Sequence, residues 1–108
     1  GDMVEWQALQ QVWGDALPGL KVSSTKALHG HLLGAAGALE AVITVAAMAR
    51  GQLPPNINGD TPGQRATDPD CPLNLVQLGD QAAPNLHAAV SSSFAFGGSN
   101  VALVFTRV

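Results

Sequence analysis

Cationic side chains are scarce in this sequence. Its 108 residues include five Lys and Arg against eight Asp and Glu, so the formal net charge is −3 with the three His neutral. A surface that follows nucleic-acid phosphates needs an excess of Lys and Arg, and so does a polybasic membrane anchor. We therefore expect no nucleic-acid partner and no electrostatic attachment to lipid.

Cysteine, tyrosine and charged residues in general are also rare. The sequence has one Cys and no Tyr, and charged residues make up 12% of it against 46% hydrophobic residues. One thiol cannot form an internal disulfide, and residues 1–5 have neither the basic nor the apolar region of a signal peptide, so a cytoplasmic location is expected. The high apolar content excludes intrinsic disorder, because disordered segments are polar and highly charged.

The first predicted element is an amphipathic helix. It is expected to begin at Asp2, because Glu5 follows three residues later as in a capping box, and to end at Gly14. Its predicted apolar stripe consists of Val4, Leu9, Val12 and Trp13.

Short β-branched and apolar runs predict the strands. Residues 21–25 and 73–76 are short strand candidates. The long segment 52–72, which directly precedes the second candidate, is dense in turn-forming residues. Residues 88–93 and 101–106 are stronger candidates and flank a glycine-rich turn, which predicts a hairpin. The order of helices and strands indicates an α/β or α+β fold.

The longest predicted helix spans residues 30–50, with Arg50 in its last turn and Gly51 as its C-terminal cap. A membrane span needs about 20 apolar residues, so this segment has to be considered as one. Glu40 lies in its middle, and much of its apolar content is Ala and Gly. We therefore expect no membrane insertion, but a helix buried on nearly all sides of a soluble protein, with its glycines allowing another segment to approach closely.

His31 is a candidate functional residue because it falls at the predicted start of this helix. The positive end of the helix dipole disfavours an imidazolium there, which favours a neutral ring that can donate a hydrogen bond to an oxygen gaining negative charge. A single histidine at a helix start is also often a purely structural donor. Both interpretations stay open from the residues alone.

Lys26 and Glu40 are the next candidates. Glu40 is the only ionisable group between Leu32 and Ala49, and a carboxylate on a buried helix needs a partner. Lys26 is the nearest candidate in the sequence; the alternative is that both side chains are solvated. Glu40 is nine positions from His31, so on one helix the two would point in nearly opposite directions, which predicts a positioning role for Glu40.

The turn that contains Phe96, Gly97 and Gly98 presents backbone N–H groups with little side-chain obstruction, as an oxyanion hole requires. A Gly-Gly turn without such a role is also common. The single thiol, Cys71, stands beside Asp68 and Asp70, whose carboxylates would raise its pKa, so we interpret it as structural. The sequence thus predicts oxyanion stabilisation without a nucleophile.

Four segments resemble the β-ketoacyl-[acyl-carrier-protein] synthases, which are condensing enzymes with the thiolase-like layered α-β-α-β-α fold. Residues 23–41, SSTKALHGHLLGAAGALEA, resemble the block S-S-T-K-x-x-x-G-H-x-x-G-A-A-G-x-x-E-A of that family. Residues 54–58 and 68–76 resemble the loop that follows, and 93–100 resemble its S-F-G-F-G-G-[ST]-N turn. The resemblance covers nearly all of residues 1–108 but only the C-terminal part of a whole enzyme.

The resemblance implies roles for these residues. His31 would be the second catalytic histidine, which stabilises the enolate formed when malonyl-carrier protein loses carbon dioxide, and Lys26, paired with Glu40, would orient the histidines. Phe96 would be the gating phenylalanine, with Phe94, Gly97 and Gly98 in the same oxyanion and gating turn. The nucleophilic cysteine and the first histidine have no counterpart here, so the chain alone is expected to be inactive.

The implied partners are an acyl carrier protein with its malonyl and acyl thioesters, the N-terminal portion of the same enzyme, and a second copy in a homodimer. No cofactor or metal is implied, because acyl groups arrive on the carrier's phosphopantetheine. The pathway would be fatty-acid or polyketide synthesis. The alternative is a non-catalytic or degenerate synthase segment that acts as a partner or regulatory module.

The sequence departs from the family pattern at three places. Ala95 stands where Gly is common, and a Cβ there restricts positive φ and is expected to stiffen the gating loop. Ser92 replaces a frequent Asn, and the loop at 61–67 is longer than usual. We expect these departures to affect the substrate range and not the reaction type.

Overall fold

A computed structural model describes residues 1–57 and 68–108. The predictions for Asn58 and for the long loop at 61–67 lie outside the described residues. The described residues form both helices and strands, in agreement with the predicted α/β class. In chain order they are α1 (Asp2–Trp13), β1 (Lys21–Val22), α2 (Lys26–His29), α3 (Ala36–Arg50), β2 (Asn74–Leu75), β3 (Ala88–Phe94) and β4 (Asn100–Thr106), with 3-10 turns at Gly14–Gly19, Leu33–Ala35 and Phe96–Gly98.

The described strands form two small sheets. β1 and β2 are parallel, with Lys21 opposite Asn74. β3 and β4 form an antiparallel hairpin, which confirms the prediction, with Ala88 opposite Thr106 and Phe94 opposite Asn100. The predicted strands at 21–25 and 73–76 are present but shorter.

Helix α3 packs on β3. Near the start of α3, a Cβ on Gly37 would lie 3.6 Å from the hydroxyl oxygen of Ser93, close to the end of β3. At the other end of α3, the Arg107 guanidinium donates to the Met48 carbonyl and, at 3.0 Å, to the Leu86 carbonyl. The helix and the strand therefore run in opposite directions, and a cation covers the C-terminal carbonyls of α3, where it interacts favourably with the helix dipole.

Helix α1 occupies the predicted range, but the capping box is wrong. Gly1 is the N-cap, no side chain caps the helix, and the Glu5 N–H bonds to the Gly1 carbonyl at 3.1 Å. The predicted stripe is also wrong in part, because Val4 and Val12 are 66% and 74% exposed. The half-buried face consists of Trp6, Leu9 and Trp13, whose spacing of three and four residues keeps them on one side of the helix.

Helix α3 begins at Ala36 and not at Gly30 as predicted. Gly30 has a φ of 79° and Leu33 a φ of 51°, and these left-handed conformations interrupt the helical path between α2 and α3. The predicted end is confirmed. Gly51 is left-handed with a φ of 62°, and the N–H groups of Gly51 and Gln52 bond to the carbonyls of Met48 and Ala47, the pattern of a Schellman motif.

Among the described residues α3 is covered on one side, so its burial on nearly all sides stays a prediction for the whole protein. Ala36 and Met48 are its buried residues, while Val42 and Val45 are 64% and 48% exposed. The reason is that β3 covers one side of the helix. By length and composition alone, residues Leu33–Arg50 would reach across a membrane, a criterion that core helices of soluble proteins also meet.

The predicted role of the glycines before and within α3, which is to let another segment approach closely, stays a prediction. A Cβ on Gly34 would meet nothing within 4 Å, and one on Gly37 would make an ordinary contact with Ser93, so neither is needed for a close approach between the described residues. Gly30 is required for its positive φ instead.

We predict that Gly51→Ala lowers the stability of the protein and that Gly19→Ala does not. Gly51→Ala should lower the free energy of unfolding by about 1–2 kcal/mol, because an L-residue is strained at the left-handed φ. Its Cβ would also lie 3.2 Å from the Cα of Pro84. Gly19→Ala is the matched control, since its Cβ meets nothing within 4 Å and its φ is not positive. Equal unfolding midpoints for the two variants in denaturant would contradict the prediction.

Candidate active site

Asn56 holds the strand ends that lead into the candidate site. Its side-chain amide donates to the Val22 carbonyl at 2.9 Å and to the Val76 carbonyl at 3.1 Å, while its oxygen accepts the Ser24 N–H at 2.9 Å. Val76 is 2% exposed, and its own N–H bonds to the Val22 carbonyl at 2.9 Å. The amide thus connects β1, the residue after β2 and the start of the Ser-Ser-Thr-Lys segment.

Sequence reasoning missed this role of Asn56, and its only signal was the turn-like run Pro54-Pro55-Asn56. A second contact supports the same arrangement, because the Ser23 hydroxyl donates to the Pro54 carbonyl at 2.5 Å. Residues 54–56 therefore fix the path of residues 22–24, and this path delivers Lys26 to the first turn of α2.

Lys26 and Glu40 form the predicted ion pair. The Lys26 side chain is 42% exposed, whereas that of Glu40 is 16% exposed. The alternative of two solvated side chains is therefore wrong. The pair joins the start of α2 to α3 and provides the partner that a carboxylate on an apolar helix needs.

His31 lies in the segment between α2 and α3, five residues before the helix start. The prediction that it sits at a helix N-terminus is wrong, because the left-handed Gly30 and Leu33 keep this segment out of the helix. A different contact sets the tautomer of the neutral ring: the Leu33 N–H donates to His31 Nδ1 at 3.1 Å. A nitrogen that accepts this bond carries no proton, so the proton of the neutral ring is on Nε2, which is a donor.

Leu33 links backbone strain to this histidine. Among the described residues it is the one non-glycine residue with positive φ. A leucine in this conformation costs about 1–2 kcal/mol. Its N–H is the group that orients the His31 ring, so the strained residue also holds the candidate functional side chain.

The two glycines of the Phe94–Gly98 turn have backbone conformations that other residues rarely adopt. Gly97 and Gly98 both have a φ of 82°. Ala95 is extended, with a φ of −121° and a ψ of 164°, and its N–H bonds to the Ser99 carbonyl at 2.9 Å. Ala95 therefore needs no positive φ in this conformation, and the expected stiffening of the gating loop stays a prediction. The Phe96 side chain is fully exposed, and that of Phe94 is 57% exposed.

Packing of α3 on β3 sets the relative position of these groups. Gly37 lies beside Ser93, so the start of α3 and the turn after β3 are at the same end of this unit. Between the described residues, the structure brings Lys26 and Glu40 into contact, while no hydrogen bond joins His31 to Lys26 or to the turn. The groups at this end are an imidazole N–H donor, a paired ammonium and a glycine turn, which together suit the stabilisation of negative charge on oxygen.

Cys71 does not belong to this group. It is 6% exposed, and its Sγ lies 3.8 Å from the Met3 Sδ. Burial raises the pKa of its thiol, and the carboxylates of Asp68, Asp2 and Asp70 raise it further. A buried thiol with a raised pKa is a poor nucleophile, in agreement with the predicted structural role. Within residues 1–57 and 68–108, no cluster of three His, Cys, Asp or Glu side chains is arranged to hold a metal ion.

Comparison with known proteins adds a family match. Residues 1–60 match a family model described as "Beta-ketoacyl synthase, C-terminal domain". The chain is 43% identical over 106 residues to 3-oxoacyl-[acyl-carrier-protein] synthase 2 of Synechocystis sp., which covers 98% of this chain and 24% of that protein. It is 45% identical over 105 residues to the chloroplastic 3-oxoacyl-[acyl-carrier-protein] synthase II of Arabidopsis thaliana, covering 97% and 18%.

A third relative gives the same coverage. The 3-oxoacyl-[acyl-carrier-protein] synthase 2 of Coxiella burnetii is 42% identical over 107 residues, which are 99% of this chain and 24% of that protein. The chain therefore spans less than a quarter of the length of the curated relatives it matches.

Substitution of Asn56 tests its connecting role. In Asn56→Asp, the Ser24 contact can remain, but the side chain has no N–H for the carbonyls of Val22 and Val76. We expect a loss of about 1–3 kcal/mol in the free energy of unfolding, because the Val22 and Val76 carbonyls each lose one of two donors and keep a backbone N–H. Asn85→Asp, at an exposed asparagine with no side-chain hydrogen bond in the described part of the chain, is the control. Equal stability of the two variants would contradict the role.

A double-mutant cycle with Lys26→Met and Glu40→Gln measures the ion pair. We expect a coupling energy of about 0.5–1 kcal/mol, at the upper end for exposed pairs, because Glu40 is mostly shielded from water. The matched control is the cycle Lys21→Met with Asp80→Asn, whose side chains are 43% and 74% exposed and 3.8 Å apart. Coupling no larger than in the control would show that the pair is solvated.

Proposed function

The chain belongs to the β-ketoacyl synthase family, whose C-terminal domain has the thiolase-like α/β fold, and we propose that it forms part of the active site of a β-ketoacyl-[acyl-carrier-protein] synthase. The reaction would be the decarboxylative condensation of malonyl-carrier protein with an enzyme-bound acyl thioester. The observation that carries the proposal is the hydrogen bond from the Leu33 N–H to His31 Nδ1, which leaves Nε2–H as a neutral donor.

His31 would act on the enolate. When the malonyl thioester loses carbon dioxide, the electrons of the broken C–C bond pass to the thioester oxygen. The His31 Nε2–H would donate a hydrogen bond to this oxygen and lower the energy of the enolate. The enolate carbon would then attack the acyl thioester carbon, and the enzyme thiolate would leave as the new C–C bond forms.

Lys26 and Glu40 would act as positioning residues. Their contact fixes the start of α2 against α3, and His31 lies on the segment that connects these two helices. Phe96 would be the gate, with its backbone N–H in the oxyanion hole for the acyl thioester. Support for this role comes from the left-handed glycines that follow it, Gly97 and Gly98.

The cysteine nucleophile and the first catalytic histidine would come from the N-terminal portion of the same enzyme. Cys71 is unsuited to the nucleophile's role, because it is buried and its pKa is raised. The substrates would be malonyl and acyl groups on the phosphopantetheine of an acyl carrier protein, without a further cofactor. The enzyme would work in fatty-acid synthesis in the cytoplasm as a homodimer. The names of the relatives support acyl carrier protein as the partner.

His31→Ala in the complete enzyme tests this function. We expect the rate of malonyl decarboxylation to fall about 10²- to 10³-fold, as when one oxyanion donor is removed. Acyl transfer to the nucleophile should be unchanged, because His31 acts only on the enolate. The measurement is the release of labelled carbon dioxide from malonyl-carrier protein.

His87→Ala, at an exposed histidine outside the candidate site, is the matched control. Decarboxylation that survives unchanged in His31→Ala would refute the role of His31. A complete enzyme without condensing activity would instead favour a non-catalytic partner module.

A further inference from the structure

The His29 ring connects the two residues that directly precede the proposed site residues. Its Nε2 lies 2.7 Å from the Thr25 hydroxyl oxygen, and its Nδ1 lies 2.8 Å from the Gly30 carbonyl oxygen. Lys26 follows Thr25, and His31 follows Gly30. One imidazole therefore spans α2 and fixes the distance between the starting points of both side chains.

The chemistry of the two partners determines the tautomer of His29. The Gly30 carbonyl can only accept, so Nδ1 must carry a proton. In the neutral ring Nε2 then accepts the proton of the Thr25 hydroxyl. His29 and His31 are thus opposite tautomers, with the proton on Nδ1 in His29 and on Nε2 in His31.

The loss of a hydrogen bond to the His29 ring would disturb the structure at either end, at Thr25 or at Gly30. Thr25 is 8% exposed, so its hydroxyl has little access to water as a substitute partner. Gly30, with a φ of 79° and a ψ of −177°, has a conformation that other residues rarely adopt. The direction of its carbonyl is coupled to the direction in which the chain enters His31, and the His29 Nδ1–H holds that carbonyl.

We propose that His29 is a positioning residue that sets the placement of His31 relative to Lys26. The inference rests on the proposed function and deepens it. The family block has variable residues at the three positions between Lys26 and Gly30, so His29 is not among the residues that carry the resemblance. It acts through His31 and does not itself touch substrate.

The first test is spectroscopic and independent of activity. Nitrogen NMR of the intact protein with ¹⁵N-labelled histidine should show His29 as the Nδ1–H tautomer and His31 as the Nε2–H tautomer. In His29→Gln the ring signals of His31 should shift, whereas in the control His87→Gln they should not. An Nε2–H tautomer of His29, or unchanged His31 signals in His29→Gln, would overturn the proposal.

The second test separates the two ends of the ring. In His29→Asn the short side-chain amide can reach the Gly30 carbonyl in place of Nδ1, and in His29→Gln the longer amide can reach Thr25 in place of Nε2. Because Gly30 is the end next to His31, His29→Gln should slow malonyl decarboxylation about ten- to a hundredfold, as expected for a displaced catalytic group. His29→Asn should retain most of the rate, and acyl transfer should be unchanged in both.

The outcomes distinguish this proposal from the proposed function. Equal losses of acyl transfer and decarboxylation in His29→Gln would indicate a general structural defect and refute positioning. If His29→Gln moves the His31 signals but His31→Ala leaves decarboxylation intact, the proposed function fails while the coupling of the two histidines stands. If the His29 variants do not fold, the wild-type tautomers and the isosteric Thr25→Val, which should also shift the His31 signals, decide the question.

Discussion

The hydrogen bonds of one amide, that of Asn56, are the constraint on which the rest of the site depends. β1 and β2 are two residues long, so their own ladder is too short to hold a register firmly. Asn56 extends it by bonding to the carbonyls of Val22 and Val76 and to the Ser24 N–H. Because these groups come from three separate parts of the sequence, the segment that carries Lys26 has one path out of β1.

The Lys26–Glu40 ion pair is the second constraint, and it acts on the same segment whose path out of β1 is fixed by Asn56. With β1 fixed at one end and α3 at the other, the chain between α2 and α3 has to turn within a few residues, and it does so through left-handed Gly30 and Leu33. A leucine keeps such a conformation only where its surroundings determine it. The N–H of the strained Leu33 is the group that orients His31. The Leu33 strain, the Lys26–Glu40 pair and the candidate functional ring of His31 are therefore parts of one local structure.

Sequence reasoning succeeded where a local rule or a strong physical penalty decides the structure. The hairpin, the Gly51 cap and the Lys26–Glu40 pair are of this kind, since an unpaired carboxylate on an apolar helix is costly. It failed where distant contacts decide. Residues 31–36, His-Leu-Leu-Gly-Ala-Ala, are compatible with a helix. The break before Ala36 depends on contacts between residues far apart in the chain, which have no local signal in the sequence. The role of Asn56 joins residues far apart in the chain and has no periodic signal. The placement of His31 beside a substrate stays a prediction.

A neutral His31 suits the proposed reaction better than a charged one. The enolate has to survive as a nucleophile until its carbon meets the acyl thioester, so the group that stabilises it must donate a hydrogen bond without giving up its proton. An imidazolium is a strong enough acid to protonate the enolate, whereas the Nε2–H of a neutral imidazole is a far weaker acid. The Leu33 N–H occupies Nδ1, so the proton of a neutral His31 ring is on Nε2, where it can be donated to the enolate oxygen. The Lys26 ammonium is paired with Glu40, so in the proposed reaction the cation positions the loop and the imidazole N–H polarises the oxygen.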